Sequence, residues 1–255
     1  MGKVIAIFNQ KGGVGKTTTN VNVSAGLAEK GYKVLTIDID PQGNTTSGLG
    51  VQKNELDKTI YDVLLGEISI EDVKIKTPME NLELIPSNMN LAGAEIELLD
   101  IEKREYLLDN ALSRIKEGYD YIFIDCPPAV NILTLNALTA ADSVMVPIQC
   151  EYYALEGLTH LISTIKLVQK KLNPALHIEG ILFTMYDART NLSLQVVEEV
   201  KKYFSKEIYK TLIPRNVRLG EAPSHGLPIM MYDEKSKGSE SYRLLVEEIL
   251  ERKEE

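Results

Sequence analysis

Lys11-Gly12-Gly13-Val14-Gly15-Lys16-Thr17-Thr18 follows the apolar run Val4-Ile5-Ala6-Ile7-Phe8 and opens a helical pattern from Thr17 to Lys30. Strand, loop and helix in that order are the setting of a phosphate-binding loop. Glycines let the loop turn its N–H groups inward, and the helix N-terminus adds positive potential, so main chain cradles a polyphosphate. In such a loop Lys16 reaches the β- and γ-phosphates and the Thr17 hydroxyl ligates Mg²⁺. The standard pattern has a glycine five residues before Gly15; Gln10 stands there, and a second lysine, Lys11, precedes the double glycine. A glycine-rich hairpin with solvated lysines would share this composition, but two further elements follow in the order a nucleotide site needs.

The first is Val34-Leu35-Thr36-Ile37-Asp38-Ile39-Asp40-Pro41-Gln42. Gly31 is placed to end the preceding helix in a left-handed cap. On a strand Asp38 and Asp40 share one face, and Pro41 stops the ladder. Both carboxylates therefore fall at the C-terminal edge, where open parallel sheets bind ligands. Either aspartate alone reads equally well as a helix cap; the pair beside a P-loop favours metal-water and attacking-water roles. The second element, Tyr121-Ile122-Phe123-Ile124-Asp125-Cys126-Pro127-Pro128, reads as a buried strand presenting one carboxylate to Mg²⁺, in the manner of a Walker B motif.

Working outward, 255 residues suit one large α/β domain, expected over 1–255. A 44% hydrophobic content is that of a soluble globular protein, and no run approaches the length of a membrane span. The N-terminal apolar stretch is too short for a signal peptide. Ala6 stands where a myristoylation motif wants Ser or Thr. Cys126 and Cys150 make no disulfide framework, which suits the cytoplasm. His160, His177 and His225 show no ligand spacing.

The net charge of -9 argues against a nucleic-acid partner. The charge is uneven, however: residues 80–125 hold 11 acidic and 4 basic residues, whereas 185–218 hold 7 basic and 4 acidic. A local basic face on an acidic chain is compatible with both counts.

Strand-like runs recur at 3–9, 33–39, 82–86, 120–125, 143–148, 178–184 and 208–213. Helical patterns alternate with them at 16–30, 103–117, 131–140, 154–172, 190–204 and 238–252. All-apolar strands separated by helices predict an α/β, doubly wound, mostly parallel sheet covered on both faces. Residues 44–102 are the least regular, and nucleotide-responsive loops or an ordinary surface insertion fit them equally. The last helix carries Tyr242, Leu245, Val246 and Ile249 on one face and Glu247, Glu248 and Glu251 on the other. A membrane-surface helix would be basic there, so this stripe predicts packing.

With these residues in view, the chain resembles the ParA/MinD superfamily of deviant-Walker P-loop ATPases, and more narrowly the chromosomal Soj-type ParA proteins. The resemblance extends through Asp38-Ile39-Asp40-Pro41-Gln42-Gly43-Asn44, Asp125-Cys126-Pro127-Pro128, Gln149 to Gly157 and Pro214 to Gly226. It implies a partitioning ATPase using ATP and Mg²⁺. Residues Lys11, Gly12, Gly13, Val14, Gly15, Lys16, Thr17 and Thr18 would hold the phosphates. Lys11 would cross a homodimer interface to the other subunit's nucleotide, so that ATP closes a sandwich and hydrolysis opens it. Asp40 would orient the attacking water, Thr17 would bind Mg²⁺ directly, and Asp38 and Asp125 would hold it through water. Pro214 and Asn216 fall where relatives contact adenine.

The same resemblance implies nonspecific double-stranded DNA binding through Arg189 and Arg218, with Lys201 and Lys202 as neighbouring candidates. It further implies a ParB-type centromere-binding partner that stimulates a weak ATPase, and a cytoplasmic, nucleoid-associated protein without membrane attachment. Because the P-loop opens at residue 11, the N-terminal operator-binding domain of longer plasmid relatives is not expected. Two other readings compete. One is a MinD-like membrane-cycling division-site ATPase, opposed by the acidic stretch Glu247 to Glu255. The other is a metabolic enzyme on the same fold, either a nitrogenase-iron-protein-like reductase or a small-molecule ligase; the reductase wants cluster cysteines that Cys126 and Cys150 do not supply.

Overall fold

A computed structural model describes residues 2–254; Met1 and Glu255, the ends of the expected domain, lie outside the described residues. Seven strands form one sheet: β1 Lys3–Ile7, β2 Val34–Asp38, β3 Ile75–Lys76, β4 Leu82–Ile85, β5 Tyr121–Asp125, β6 Ser143–Gln149 and β7 His177–Thr184. Their order is β3-β4-β2-β5-β1-β6-β7. Every pairing is parallel except β3 with β4. The sheet is therefore the doubly wound, mostly parallel one that the sequence predicts, with a two-residue antiparallel edge strand that no periodicity announces.

Two apolar clusters cover its two faces. Alternation in β1 sends Val4 and Ala6 into one cluster and Ile5 and Ile7 into the other, all fully buried. The valine and isoleucine side chains each contribute roughly 1.5–3 kcal/mol of burial energy. One face is covered by Ile132–Ala140, Ala154–Lys171 and Asn191–Phe204, the other by Lys16–Glu29 and Lys237–Glu254. Tyr242, Leu245, Val246 and Ile249 are buried in the second cluster, so the last helix packs as its stripe predicts. Gly31 has φ of 90°, the left-handed stop expected after the first helix.

Two expectations are corrected. Residues 103–117 are not one helix but a 3-10 turn at Arg104–Tyr106, a short α-helix at Leu107–Leu112 and a further 3-10 turn at Lys116–Gly118. Lys103 has a left-handed φ of 55°, which bars helix there. Asn136 from the next helix takes up the interruption, accepting Leu108 N–H at 3.1 Å and donating to Arg104 O at 2.8 Å.

Residues 208–213 are likewise no regular strand. Tyr209 N–H donates to Ile181 O and Ile213 N–H to Phe183 O, so four residues span what two span on β7. The excess bulges outward, and the Lys210 and Thr211 N–H groups donate to the Glu248 carboxylate at 2.7 and 2.9 Å. Tyr209 crosses β7 at Gly180, where a Cβ would lie 2.3 Å from its ring.

This architecture sets the site. The chain leaves β1 toward β2 on one side and later adds β6 and β7 on the other, so the loop after β1 opens at a topological switch point. Asp38 and Asp125, each the last residue of its strand, are register partners.

Candidate functional site

The loop after β1 is held from its flanks. Asn9 donates to Pro147 O at 2.8 Å and accepts the Lys11 N–H at 3.0 Å. Thr184, at the end of β7, donates to Val14 O at 2.8 Å. Gly13 and Gly15 have φ of 75° and 87°, a backbone that side chains strain to adopt. A Cβ at Gly12 or Gly13 would meet no atom within 4 Å, which leaves room over the loop for a ligand. Thr17 and Thr18 lie in the first turn of the helix that follows, Lys16–Glu29.

Lys16 is 7% exposed and its ammonium donates to Lys11 O at 3.0 Å. Burial lowers its pKa, opposed chiefly by the charge of Asp125. Asp125 is buried completely; its Oδ2 accepts from the hydroxyls of Thr17 and Thr45, each at 2.8 Å. Its Oδ1 has no hydrogen-bond partner. Asp38, also fully buried, accepts the Thr46 N–H and hydroxyl at 2.8 Å on one oxygen and the Asp40 N–H at 3.2 Å on the other. Desolvation pushes both carboxyls upward, and the charge of Asp125 pushes Asp38 further.

This donor set fits a divalent cation. Two buried carboxylates in neighbouring register are stabilised by a nearby dication, the Thr17 hydroxyl is adjacent, and Asp125 Oδ1 is an unused acceptor. Among the described residues no group of three His, Cys, Asp or Glu forms a protein-only metal cage. That pattern suits Mg²⁺, which keeps several waters and takes few carboxylates.

Asp40 sits two residues beyond β2, 8% exposed, its Oδ1 accepting Gln42 N–H at 2.9 Å. The Ser87 hydroxyl donates to its carbonyl at 2.8 Å, which fixes the turn from the neighbouring strand end. Lys11 does not turn into its own loop: its side chain is half exposed and ion-paired with Glu151, just beyond β6. Around the same sheet edge Met89, Val130, Tyr152 and Tyr153 are exposed.

Pro214 and Asn216 line a cleft of about 360 Å³ with Gly15, Thr18 and Met185, so the structure brings them beside the loop. Asn216 also caps the Val217–Glu221 helix through its Oδ1, which accepts the Arg218 N–H at 2.9 Å. Met185 holds a left-handed φ of 50°, a strained backbone at the cleft wall. The candidate DNA residues lie elsewhere. Arg189 is 88% exposed and paired with Asp187, and Arg218 is 54% exposed and paired with Glu221 and Asp233. Lys201 and Lys202 pair with Glu198 and Glu199 on their own helix.

Sequence reading missed the threonines. Thr45 links Asp125 to Asn20, whose amide donates to Thr45 and Thr36 at 3.1 and 2.7 Å, while Thr46 clasps Asp38. The signal available was a pair of short hydroxyls, Thr45-Thr46, in the short helix that follows an aspartate strand. Asn9 and Thr184 gave no comparable signal, because their role is set by the strands they join.

Similarity to known proteins follows the same lines. The AAA_31 family, an AAA domain, matches residues 2–178. The chain is 59% identical over 249 residues to the sporulation initiation inhibitor protein Soj of Bacillus subtilis (strain 168), covering 98% of each. It is 52% identical over 252 residues to the chromosome partitioning protein ParA of Myxococcus xanthus (strain DK1622), covering 99% of this chain and 89% of that one. A solved structure of cobyrinic acid a,c-diamide synthase from Mycobacterium smegmatis, with bound ATP analog and magnesium, superposes with a TM-score of 0.88 at 38% identity. That match covers 100% of this chain and 96% of the other.

Proposed function

The chain belongs to the ParA/MinD-type AAA_31 family of ATPases, akin to Soj and ParA along nearly its whole length, and from that premise we propose a DNA-partitioning ATPase switched by dimerisation. The observation that carries the reading is the convergence of Lys16, Thr17, Asp38 and Asp125 at one sheet edge, with an unused buried oxygen on Asp125. ATP is the substrate. Mg²⁺, held by Thr17 directly and by Asp38 and Asp125 through water, would neutralise charge on the phosphates. Lys16 and the N–H groups of residues 12–18 bind the phosphates. Asp40 orients the attacking water and takes its proton. Pro214 and Asn216 border the adenine.

Lys11 acts on a second copy. Its outward side chain leaves its own loop unfilled, and the exposed Met89, Val130, Tyr152 and Tyr153 give the surrounding edge an apolar surface to bury. An ammonium against a γ-phosphate in a water-poor interface loses its partner when phosphate leaves, so hydrolysis parts the two copies. The dimer doubles the Arg189 and Arg218 patches, and linking two weak sites raises DNA affinity by avidity. A ParB-type partner accelerates an otherwise weak ATPase, and the whole chain, 1–255, works as one domain on the nucleoid in the cytoplasm.

The MinD-like alternative wants a free basic helix. Here the last helix is packed, and no helix among the described residues is long and apolar enough to cross a membrane. The metabolic alternative draws on the synthase name of the solved structure, but identities of 59% and 52% to partitioning proteins exceed its 38%.

The test is light scattering of the Asp40→Ala variant with ADP and with Mg·ATP. We expect a monomer with ADP, a dimer with ATP and hydrolysis reduced by about 10²–10⁴-fold. A monomer at ATP saturation, or normal turnover, would overturn the reading.

A further inference from the structure

The loop after β7 and the loop that opens at Pro214 are stitched together: Tyr186 N–H donates to Ile213 O at 2.9 Å and Arg215 N–H to Tyr186 O at 3.1 Å. This brings Arg189, Arg215 and Arg218 to one margin of the molecule. Two of the three already have carboxylates. Asp187 takes Arg189 in a fork, Nε to Oδ1 at 2.9 Å and Nη2 to Oδ2 at 2.8 Å. Glu221 and Asp233 share Arg218 at 2.8 and 3.3 Å. Arg215 borders the cleft beside Pro214 and Asn216, is exposed and has no ion pair among the described residues, though its charge is felt at Asp187.

A guanidinium fork fits a carboxylate and a phosphate in the same geometry. Asp187 therefore occupies Arg189 in the way a DNA phosphate would. An exposed ion pair is weak and readily exchanged, but the displaced carboxylate stays tethered beside the incoming phosphate and repels it. Resting on the DNA-binding reading above, we propose that Asp187 is a built-in competitor for the DNA phosphate at Arg189. Arg215, which no carboxylate occupies, is a third phosphate contact that engages the duplex without such an exchange.

The experiment measures binding of a random-sequence duplex by anisotropy across a salt series, using the full chain saturated with Mg²⁺ and a nonhydrolysable ATP analogue. Asp187→Asn keeps one oxygen to accept the Arg189 N–H, made at 3.0 Å, while it removes the charge and one arm of the fork. It should tighten binding about threefold or more at low salt. Arg215→Ala should weaken binding and flatten the log–log salt slope by about 0.9 per lost contact, about 1.8 for a dimer, with the slope restored by Arg215→Lys.

Weaker binding by Asp187→Asn would mean that the carboxylate positions Arg189, and an unchanged slope in Arg215→Ala would remove the third contact. Either overturns the inference. Loss of nucleotide binding by Arg215→Ala would assign that side chain to the cleft and overturn it too. Failure of the wild type to bind DNA would instead strike the partitioning reading itself.

Discussion

At the C-terminal ends of β2 and β5, Asp38, Asp125 and Lys16 are buried and held by hydroxyls, N–H groups and a carbonyl, with no ion pair among them. Along the loops 185–190 and 214–218, Arg189 and Arg218 stand in solvent with carboxylates attached. The first arrangement is organised before any ligand arrives, with Asp125 Oδ1 left as its unpaired acceptor. The second is a set of exchangeable pairs whose strength depends on salt. Substitutions at the two edges should therefore differ in size and in what they respond to.

Lys16→Ala is the strongest probe of the buried edge, because it removes a buried cation that faces Asp125. We expect nucleotide affinity by calorimetry to fall at least about 100-fold; a loss as small as those at the arginine edge would break the comparison. Next is pH. The native carboxyls of Asp38 and Asp125 titrate above the unfolded value of about 3.9. Their contribution to stability is thus complete below that value and disappears as pH rises through the raised native ones. Without Mg²⁺ and nucleotide, the melting temperature should gain from lowering pH from 8 toward 5 at this pair, and Asp38→Asn should flatten that part of the profile. A steeper profile in the variant would refute the sign.

The arginine edge should yield smaller, salt-tuned effects. Arg189→Ala and Arg218→Ala should each flatten the log–log salt dependence of DNA binding by about 0.9 per contact, with nucleotide binding intact. The smallest change belongs to Lys201→Ala and Lys202→Ala. Both lysines pair with glutamates three residues away on an exposed helix. We expect less than about a twofold change in DNA affinity; a larger one would extend the edge onto that helix.

The buried edge was legible in sequence because its chemistry is local. Lys16 and Thr17 follow a strand, and Asp38 and Asp125 end strands, so three elements in order placed them at one sheet edge. The groups that hold them were not legible: Thr45 reaches Asp125, and Asn20 reaches Thr45, only after separate strands have paired. The arginine edge was visible as a basic count over 185–218, but pairing was not, since Arg218 finds Asp233 beyond a 3-10 segment and a short helix. Misreading 208–213 as a strand has a similar cause. Its apolar pattern is that of a strand, and the bulge comes from Tyr209 filling the space over Gly180 and from a carboxylate on the last helix.

That carboxylate has a consequence for how copies can join. With the outward N–H groups of Lys210 and Thr211 capped by Glu248, the flank of the sheet beyond β7 withholds two donors that another chain could zip onto. The opposite flank ends in two residues, one of them Lys76. Both borders therefore disfavour lateral growth into ribbons woven through backbone.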